Sequence, residues 1–346
     1  MGSSEQISIA CVQARVTVDD FVTEAAFRSL VDRLMDQAVA AMPAEGPRLV
    51  VFPEDFASGC MFVGEAEALR GAHTLRAAVE ALVKRHLPAV VSRRLRHRVG
   101  WVRALALHLA PAVARLYTDT FSTAARKYGA YVLAGTVLLP DLDDTGEPQG
   151  GDVYNTAFFY GPDGRLIGTQ RKAFLIDLEG PQGLDLSSGA VEALTAWDTE
   201  LGRVGVAICF DAFQGPVIDR LAALDLDLLL KPSANPGPWS EWQQEDWLNG
   251  MWQAVCRRGV ARYGVNPMLV GHLLDVSFEG QSSIVQRVPA AGESGTGSAS
   301  GGPLLGYAAL PPRPGFVRVA RSWTEEEVLV ATLPHPRRGA AAPPPA

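Results

Sequence analysis

The stretch Gly-Val-Ala-Ile-Cys-Phe-Asp at residues 205–211 carries an apolar, strand-like run into a cysteine. A buried strand of this kind places Cys209 at the carboxyl end of a sheet, where α/β folds usually bind ligands. Two other strand-like runs lead in the same way to Glu54 and to Lys172. A nucleophilic thiol needs a base to remove its proton and a cation to stabilise the negative charge that develops. These three residues therefore predict a catalytic site.

Other cysteine and basic residues in or beside these runs are expected to be structural or solvated, not catalytic. Cys11 lies inside the first predicted strand, where a small buried apolar residue is the usual role of a thiol. Arg171 precedes Lys172 and is expected to be a solvated residue of the turn. Taken alone, Lys172 has the same alternative, so its assignment depends on the joint pattern.

Apolar runs rich in Val, Ile and Leu alternate with longer stretches of helical periodicity, which predicts an α/β fold. One amphipathic helix is expected over residues 23–42, between the first two strands. A tight turn is expected at residues 160–165, Tyr-Gly-Pro-Asp-Gly-Arg. The predicted strands cover residues 7–13, 49–52, 131–137, 156–160, 204–209 and 226–230.

Composition restricts the classes of partner. The chain has 346 residues, 47% of them hydrophobic, which is enough for a sizeable core. Its net charge of -7 argues against general binding to nucleic acid or to an anionic membrane, and small molecules are expected instead. The four cysteines are far apart and form no Cys-x-x-Cys pair, so we expect free thiols, no metal site and a cytoplasmic protein.

We expect a single domain over residues 1–335 with a basic helical insert at about 65–118. Residues 81–118 contain eight Lys or Arg and no acid, and their apolar residues from Leu95 to Leu116 are spaced for one helical face that kinks at Pro111. This segment is either an ordinary helix that packs on the body or a membrane-surface, partner or lid helix. Its charges and Pro111 argue against an integral membrane span. Residues 292–302 predict a mobile loop, and 336–346 a disordered Ala/Pro tail.

Six segments, in their order along the chain, resemble the carbon-nitrogen hydrolase (nitrilase) superfamily, amidase-like branch. Val-Phe-Pro-Glu at 51–54, Arg-Lys at 171–172 and the stretch 205–211 resemble its three main motifs. The other matches are residues 227–236, 264–266 and 278–283. The resemblance implies a four-layer αββα sandwich that pairs into an αββα-αββα homodimer or a higher homo-oligomer.

The resemblance also implies a role for each motif residue. Cys209 is the expected nucleophile, Glu54 the general base, and Lys172 the cation that stabilises the tetrahedral intermediate. Glu179 either positions substrate or water or is an ordinary loop acid. Trp239, one of four tryptophans within residues 239–252, either lines an acyl pocket or packs in the core. The expected substrate-binding residues are Phe210, through its backbone N–H, Asp211, Ser233, Asn235 and Trp239.

The implied reaction is cofactor-independent hydrolysis of a linear amide through a cysteine thioester, which releases ammonia or an amine. Cys-Phe-Asp at 209–211 is more similar to amidases and ω-amidases than to nitrile-cleaving members, which tend to have Trp-Glu after the cysteine. After Asp211 the chain lacks the Arg and Glu that family members often have. The alternatives are nitrile hydrolysis, acyl transfer to an amine, and a catalytically silent scaffold that binds an anionic partner through its basic insert.

Overall fold

The structure is a computed structural model, and it describes residues 5–288 and 314–337. The strands of these residues are β1 (Gln6–Gln13), β2 (Arg15–Val16), β3 (Arg48–Val51), β4 (Tyr131–Leu139), β5 (Tyr154–Tyr160), β6 (Leu166–Arg171), β7 (Ala196–Thr199), β8 (Gly202–Val206), β9 (Leu226–Leu230), β10 (Ala261–Asn266), β11 (Val270–Leu273), β12 (Val276–Phe278), β13 (Ser283–Gln286), β14 (Phe316–Val319) and β15 (Glu327–Pro334). The α-helices are α1 (Glu24–Ala40), α2 (Leu75–Arg85), α3 (Leu87–His97), α4 (Trp101–Tyr128), α5 (Gly215–Ala222) and α6 (Glu241–Trp247).

The strands form two six-stranded sheets and a small third sheet. The first sheet has the order β15-β1-β3-β4-β5-β6, the second β14-β13-β10-β9-β8-β7, and the third β12-β11-β2. At the centre of the first sheet β1, β3 and β4 run parallel, and β8, β9 and β10 do so in the second. The carboxyl ends of β3 and β8 lead into the segments that carry Glu54 and Cys209, and Lys172 follows β6.

Three apolar layers hold the sheets and helices together. Alternate residues of β1 and β3, such as Ile9 and Val51, face Val206 and Leu230 of the second sheet. The opposite face of the first sheet packs against α1 and α4. The outer face of the second sheet packs against α5 and the kinked helical stretch Leu248–Arg257. This arrangement is the expected four-layer αββα sandwich, so the predicted fold class is confirmed.

The prediction that Leu95 to Leu116 lie on one helical face kinked at Pro111 was wrong. Helix α3 ends at His97 and helix α4 begins at Trp101, and the two helix axes meet at 109°. Arg98 takes a left-handed conformation with φ of 56°, which ends α3, and Gly100 is the N-cap of α4. Leu95, which was expected on the buried face, is 73% exposed. Pro111 lies inside α4 without ending it.

Acids from outside residues 81–118 pair with half of the eight basic residues in that segment. The pairs are Arg85 with Glu65, Arg93 with Glu147, Arg103 with Asp185, and Arg115 with Glu24. α4 also packs against α1 and β4, which supports the interpretation of an ordinary packing helix for this part. Among the described residues, no single helix has the length and apolar character needed to cross a bilayer, and only α3 and α4 taken together would satisfy both.

One strand is shorter than expected. The predicted run over 204–209 ends as a strand at Val206, and Cys209 begins a short 3-10 turn, Cys209–Phe213. The predicted loop at 292–302 and the part of the predicted tail from 338 onward lie outside the described residues. The single-domain boundary at 335 and the limits of the insert stay predictions.

Candidate active site

The ends of three strands bring Glu54, Lys172 and Cys209 to one place. Glu54 follows β3 and Lys172 follows β6, so both belong to the first sheet. Cys209 follows β8 of the second sheet. The site therefore lies where the loops of the two sheets meet.

Glu54 is almost completely buried, and three donors hold its carboxylate. Its Oε1 accepts hydrogen bonds from Lys172 Nζ at 2.8 Å and from Asn155 Nδ2 at 3.0 Å. Its Oε2 accepts one from the backbone N–H of Ala234 at 2.9 Å. Ala234 belongs to the loop after β9 in the second sheet, so this bond ties the carboxylate of one sheet to the backbone of the other.

Lys172 lies between two buried carboxylates. Its Nζ donates to Glu54 Oε1 at 2.8 Å and to Glu179 Oε2 at 2.6 Å. Asn155 Nδ2 also donates to Glu179 Oε1 at 2.8 Å, so the amide bridges both acids. Burial alone would lower the pKa of Lys172, but the charges of Glu54, Cys209 and Glu179 raise it well above its ordinary value. An ammonium has three N–H donors, and two are used here, which leaves one for a substrate oxygen.

Cys209 has a backbone conformation that is uncommon for a residue with a side chain. Its φ is 46°, and its N–H donates to Pro232 O at 2.9 Å, which holds the turn against the loop after β9. A conformation of this kind costs of order 1–3 kcal/mol and persists only where surrounding contacts hold it. Its Sγ lies 3.7 Å from Ala234 O. The turn thus aims the thiol at the segment that also holds Glu54.

The electrostatic setting of the thiol has opposing contributions. Burial, followed by the charge of Glu54, raises the pKa of Cys209 to about 12, whereas Lys172 and Lys231 act to lower it. A hydrogen bond to Glu54 also favours the protonated thiol. At neutral pH the resting group is therefore the thiol, with a carboxylate beside it that can accept its proton.

Asp211 joins the loops of Cys209 and Lys172. Its carboxylate is fully buried and accepts hydrogen bonds from the backbone N–H groups of Ala173 at 3.0 Å, Phe174 at 2.8 Å and Ile208 at 3.3 Å. These donors occupy both oxygens, and Asp211 does not line the cavity beside the site. These contacts support a positioning role for Asp211, and its predicted contact with substrate stays a prediction.

A second buried lysine lies in the loop after β9. Lys231 is 2% exposed, and its Nζ lies 2.9 Å from Ser233 Oγ and 3.5 Å from Asn266 Oδ1. Burial lowers its pKa, and the charges of Cys209 and Glu54 oppose that effect. Asn266 Nδ2 also donates to Ser233 Oγ at 3.1 Å. Ser233, an expected substrate-binding residue, is thus a buried acceptor in this network.

The other expected substrate-binding residues have different surroundings. Asn235 is half-buried, and its Nδ2 donates to Glu279 O at 3.3 Å. Trp239 is buried in the outer core of the second sheet, with its ring centroid 6.1 Å from that of Trp247. It does not line the cavity, which supports the packing alternative for Trp239. Phe210 is half-buried directly after Cys209.

An inner cavity of about 70 Å³ reaches the acids and the lysine of the site. Glu54, Lys172 and Glu179 contribute its polar lining, together with Asp55 and Ser58. Apolar side chains of the Ser58–Phe62 segment, the loop before Glu179, and β11 and β12 make up much of the rest. Cys209 does not line this cavity, but its contact Ala234 does. A small polar group bonded to an apolar chain would suit this lining.

Three site residues were missed at the level of sequence. Asn155 is a polar residue at the start of a strand-like run, and that position is the signal that could have identified it. Lys231 is a lysine directly after the apolar run 226–230. Asp55 takes a φ of 56°, and burial, then the charges of Glu54 and Glu179, raise its pKa to about 7.

In the described part of the chain, no group of three His, Cys, Asp or Glu is arranged to hold a metal ion.

A family model described as carbon-nitrogen hydrolase matches residues 8–287. Among curated proteins, omega-amidase NIT2 of Danio rerio is 31% identical over 138 residues, which cover 37% of this chain and 46% of that protein. Omega-amidase NIT3 of Saccharomyces cerevisiae is 36% identical over 108 residues, 30% of this chain and 34% of that protein. The chain thus matches less than half the length of these relatives.

Solved structures share the fold over nearly the whole chain. A double mutant of the amidase from Nesterenkonia sp. AN1 in complex with acrylamide has a TM-score of 0.58 at 15% identity, covering 96% of this chain and 93% of that one. Nit3 of Saccharomyces cerevisiae, a member of branch 10 of the nitrilase superfamily, has a TM-score of 0.53 at 18% identity, covering 96% and 91%. At these identities the similarity concerns the fold alone.

Proposed function

This chain belongs to the carbon-nitrogen hydrolase family, and from that premise we propose that it hydrolyses the amide bond of a linear, non-peptide substrate. The observation that carries the proposal is the position of Lys172 between the carboxylates of Glu54 and Glu179, in electrostatic contact with the Cys209 thiol. This set supplies the nucleophile, base and cation that acyl transfer needs, without a cofactor.

The first half of the reaction forms a thioester. Glu54 accepts the thiol proton as Cys209 Sγ bonds to the amide carbon. The remaining N–H of Lys172 and the backbone N–H of Phe210 stabilise the negative oxygen of the tetrahedral intermediate. The C–N bond then breaks, and Glu54 returns the proton to the leaving nitrogen. Ammonia leaves from a primary amide, and an amine leaves from a substituted one.

The second half of the reaction releases the carboxylic acid product. Glu54 accepts a proton from water as the water oxygen bonds to the thioester carbon. The C–S bond breaks, and the thiol regains its proton from Glu54. Throughout both halves Glu179 and Asn155 hold Lys172 and Glu54 in fixed orientations, which removes reorganisation from each step.

An amide is favoured over a nitrile by the relatives. The curated relatives described above are omega-amidases, and their names support the same class of substrate for this chain. The scaffold alternative has less support, because four of the eight basic residues at 81–118 are paired with acids of the body. We also propose that the protein is cytoplasmic and forms a homodimer.

Ammonia release from primary amides, ω-amides, N-carbamoyl compounds and nitriles tests the proposal. Release that is abolished by Cys209→Ala and retained by Cys256→Ala would support it, because Cys256 is a buried thiol in the outer core of the second sheet. Turnover that rises with added amine would indicate acyl transfer. If no compound in the panel is turned over and Cys209 also resists iodoacetamide, the hydrolase proposal fails.

A further inference from the structure

A groove of about 840 Å³ lies outside the inner cavity. Its walls are α2, the first residues of α4, the loop around residues 178–184, and residues 275–276. Four side chains line both the groove and the cavity: Leu75, Leu178, Leu184 and Val276. The two spaces therefore adjoin across these four apolar side chains.

The groove is lined by side chains that would otherwise be expected inside the protein. Leu87 is 45% exposed, Trp101 44% and Leu178 39%, and all three contribute to its surface. Val79, Val83 and Val102 extend the same apolar surface inward. An exposed apolar surface of this kind is a candidate binding site.

Three of the four charged residues that line the groove, Arg76, Glu80 and Asp275, have partners within the protein, and Lys84 is the fourth. Arg76 pairs with Glu80 at 3.0 Å on the same helix. Asp275 Oδ1 accepts a 2.7 Å hydrogen bond from the N–H of Leu75 at the start of α2. A ligand in the groove is thus selected by apolar contact more than by charge.

The volumes of the two spaces indicate which part of a ligand each can hold. The inner cavity of about 70 Å³ holds on the order of five water-sized groups, which suffices for an amide and the first carbons of a chain. The groove, at about 840 Å³, falls within the usual range of roughly 300–1,000 Å³ for ligand pockets. A substrate with a longer chain has only the groove in which to place the remainder.

We propose that this groove binds the apolar acyl chain of a medium- or long-chain linear amide, whose carbonyl lies at Lys172 and whose tail runs beneath α2. The inference rests on the proposed amide hydrolysis and adds the class of acyl group. The basic helical segment thereby acquires a role as one wall of the acyl site. Each methylene that moves from water into the groove should raise kcat/KM by roughly two- to fourfold, until the groove is filled.

The test measures kcat/KM for unbranched primary amides of four to ten carbons. Wild type should favour the longer amides. Leu87→Glu, in the first turn of α3 where an acid suits the helix dipole, should lower kcat/KM for the ten-carbon amide by roughly tenfold and leave butyramide unchanged. Trp101→Gln provides a second variant in case the first does not fold. Leu166→Glu, 48% exposed on β6 and away from the groove, is the matched control.

A binding measurement with an inactive variant tests the groove independently of amide hydrolysis. Calorimetry of the ten-carbon amide with Cys209→Ala should give a Kd that weakens roughly tenfold when Leu87→Glu is added, even if no amide is turned over. Equal chain-length dependence in wild type and Leu87→Glu would overturn the groove proposal while leaving hydrolysis intact. So would a preference of the wild type for the shortest amide.

Discussion

The Glu179 carboxylate accepts a 2.6 Å hydrogen bond from the Lys172 ammonium, and both side chains are almost completely buried. Glu179 Oε2 also accepts from the N–H of Ile176 at 3.0 Å, which closes a short turn of its own loop around the carboxylate. A buried cation beside two carboxylates is stable only while both remain in place, since breaking a buried pair strands a charge. Glu179 therefore belongs to the charge balance of the site.

Glu179→Gln removes one of the two negative charges on Lys172. We expect kcat to fall by roughly 100-fold with a small change in KM, because Lys172 then lies closer to Glu54 and less well placed for the oxyanion. Steady-state kinetics on the best amide measures this. Glu192→Gln, an exposed acid in a neighbouring loop, should have wild-type kinetics. A change confined to KM would instead indicate that Glu179 contacts substrate directly.

Lys172→Ala should depress kcat by roughly 1,000-fold or more, since its charge acts on the transition state more than on the bound substrate. Arg171→Ala is the matched comparison. Arg171 pairs with Asp141, and its guanidinium lies 3.9 Å from the ring centroid of Tyr154, so it should alter kcat by less than about threefold. An equal loss of kcat in the two variants would argue against the role of Lys172.

Asp211→Asn should destabilise the protein and slow the reaction together. The amide keeps only one acceptor oxygen for the N–H groups of Ala173, Phe174 and Ile208, so we expect a loss of roughly 2–4 kcal/mol. Tm from calorimetry and kcat should both fall. Asp219→Asn, whose side chain is 71% exposed and pairs with Arg258, should leave both unchanged. A normal Tm with reduced kcat would point to substrate contact after all.

Asp55→Asn should stabilise the protein at alkaline pH. The folded state raises the pKa of Asp55 from 3.8 to about 7, first through burial and then through Glu54 and Glu179. The folded state thus holds a proton that the unfolded state loses between pH 4 and 7, and stability falls as pH rises through that window. Removing the charge should raise the free energy of unfolding at pH 8 by on the order of 2 kcal/mol.

Urea unfolding at pH 5 and pH 8 measures this difference, which should shrink toward the lower pH. The isosteric amide still accepts the 2.7 Å hydrogen bond from Ser58 Oγ. Asp36→Asn, an exposed acid of α1, should produce little change at either pH. A stabilisation by Asp55→Asn that is the same at pH 5 and pH 8 would show that ionisation of this acid is not the cause.

Lys231→Met should slow alkylation of Cys209. The charge of Lys231 acts to lower the pKa of the thiol, so its removal raises that pKa and reduces the thiolate fraction at any given pH. We expect Cys209 to react several-fold more slowly with iodoacetamide at pH 8.5. Mass spectrometry of the peptide that contains Cys209 measures this rate. Lys127→Met, which removes an exposed lysine that pairs with Asp32, is the control. Equal rates would exclude an electrostatic role for Lys231.

Much of the fold follows from local patterns in the sequence. Predicted strands such as residues 226–230 match the observed ones closely, and the hairpin turn at 160–165 joins β5 to β6 as expected. Local patterns fail at the break between α3 and α4, because a left-handed residue at Arg98 is not marked by a glycine there. The spacing of Leu95 and Val102 therefore indicated one helical face where the chain forms two helices.

The sequence by itself determined that an acid, a lysine and a cysteine follow strand-like runs, because strand propensity and motif order are local properties. Only the tertiary structure decided that Asn155 bridges Glu54 to Glu179, and that Asp211 accepts hydrogen bonds from backbone N–H groups. It likewise placed α2 and α4 around an apolar groove beside the cavity. The physical reason is that these distances depend on how two sheets and their loops pack together, through contacts between residues that are far apart in the chain.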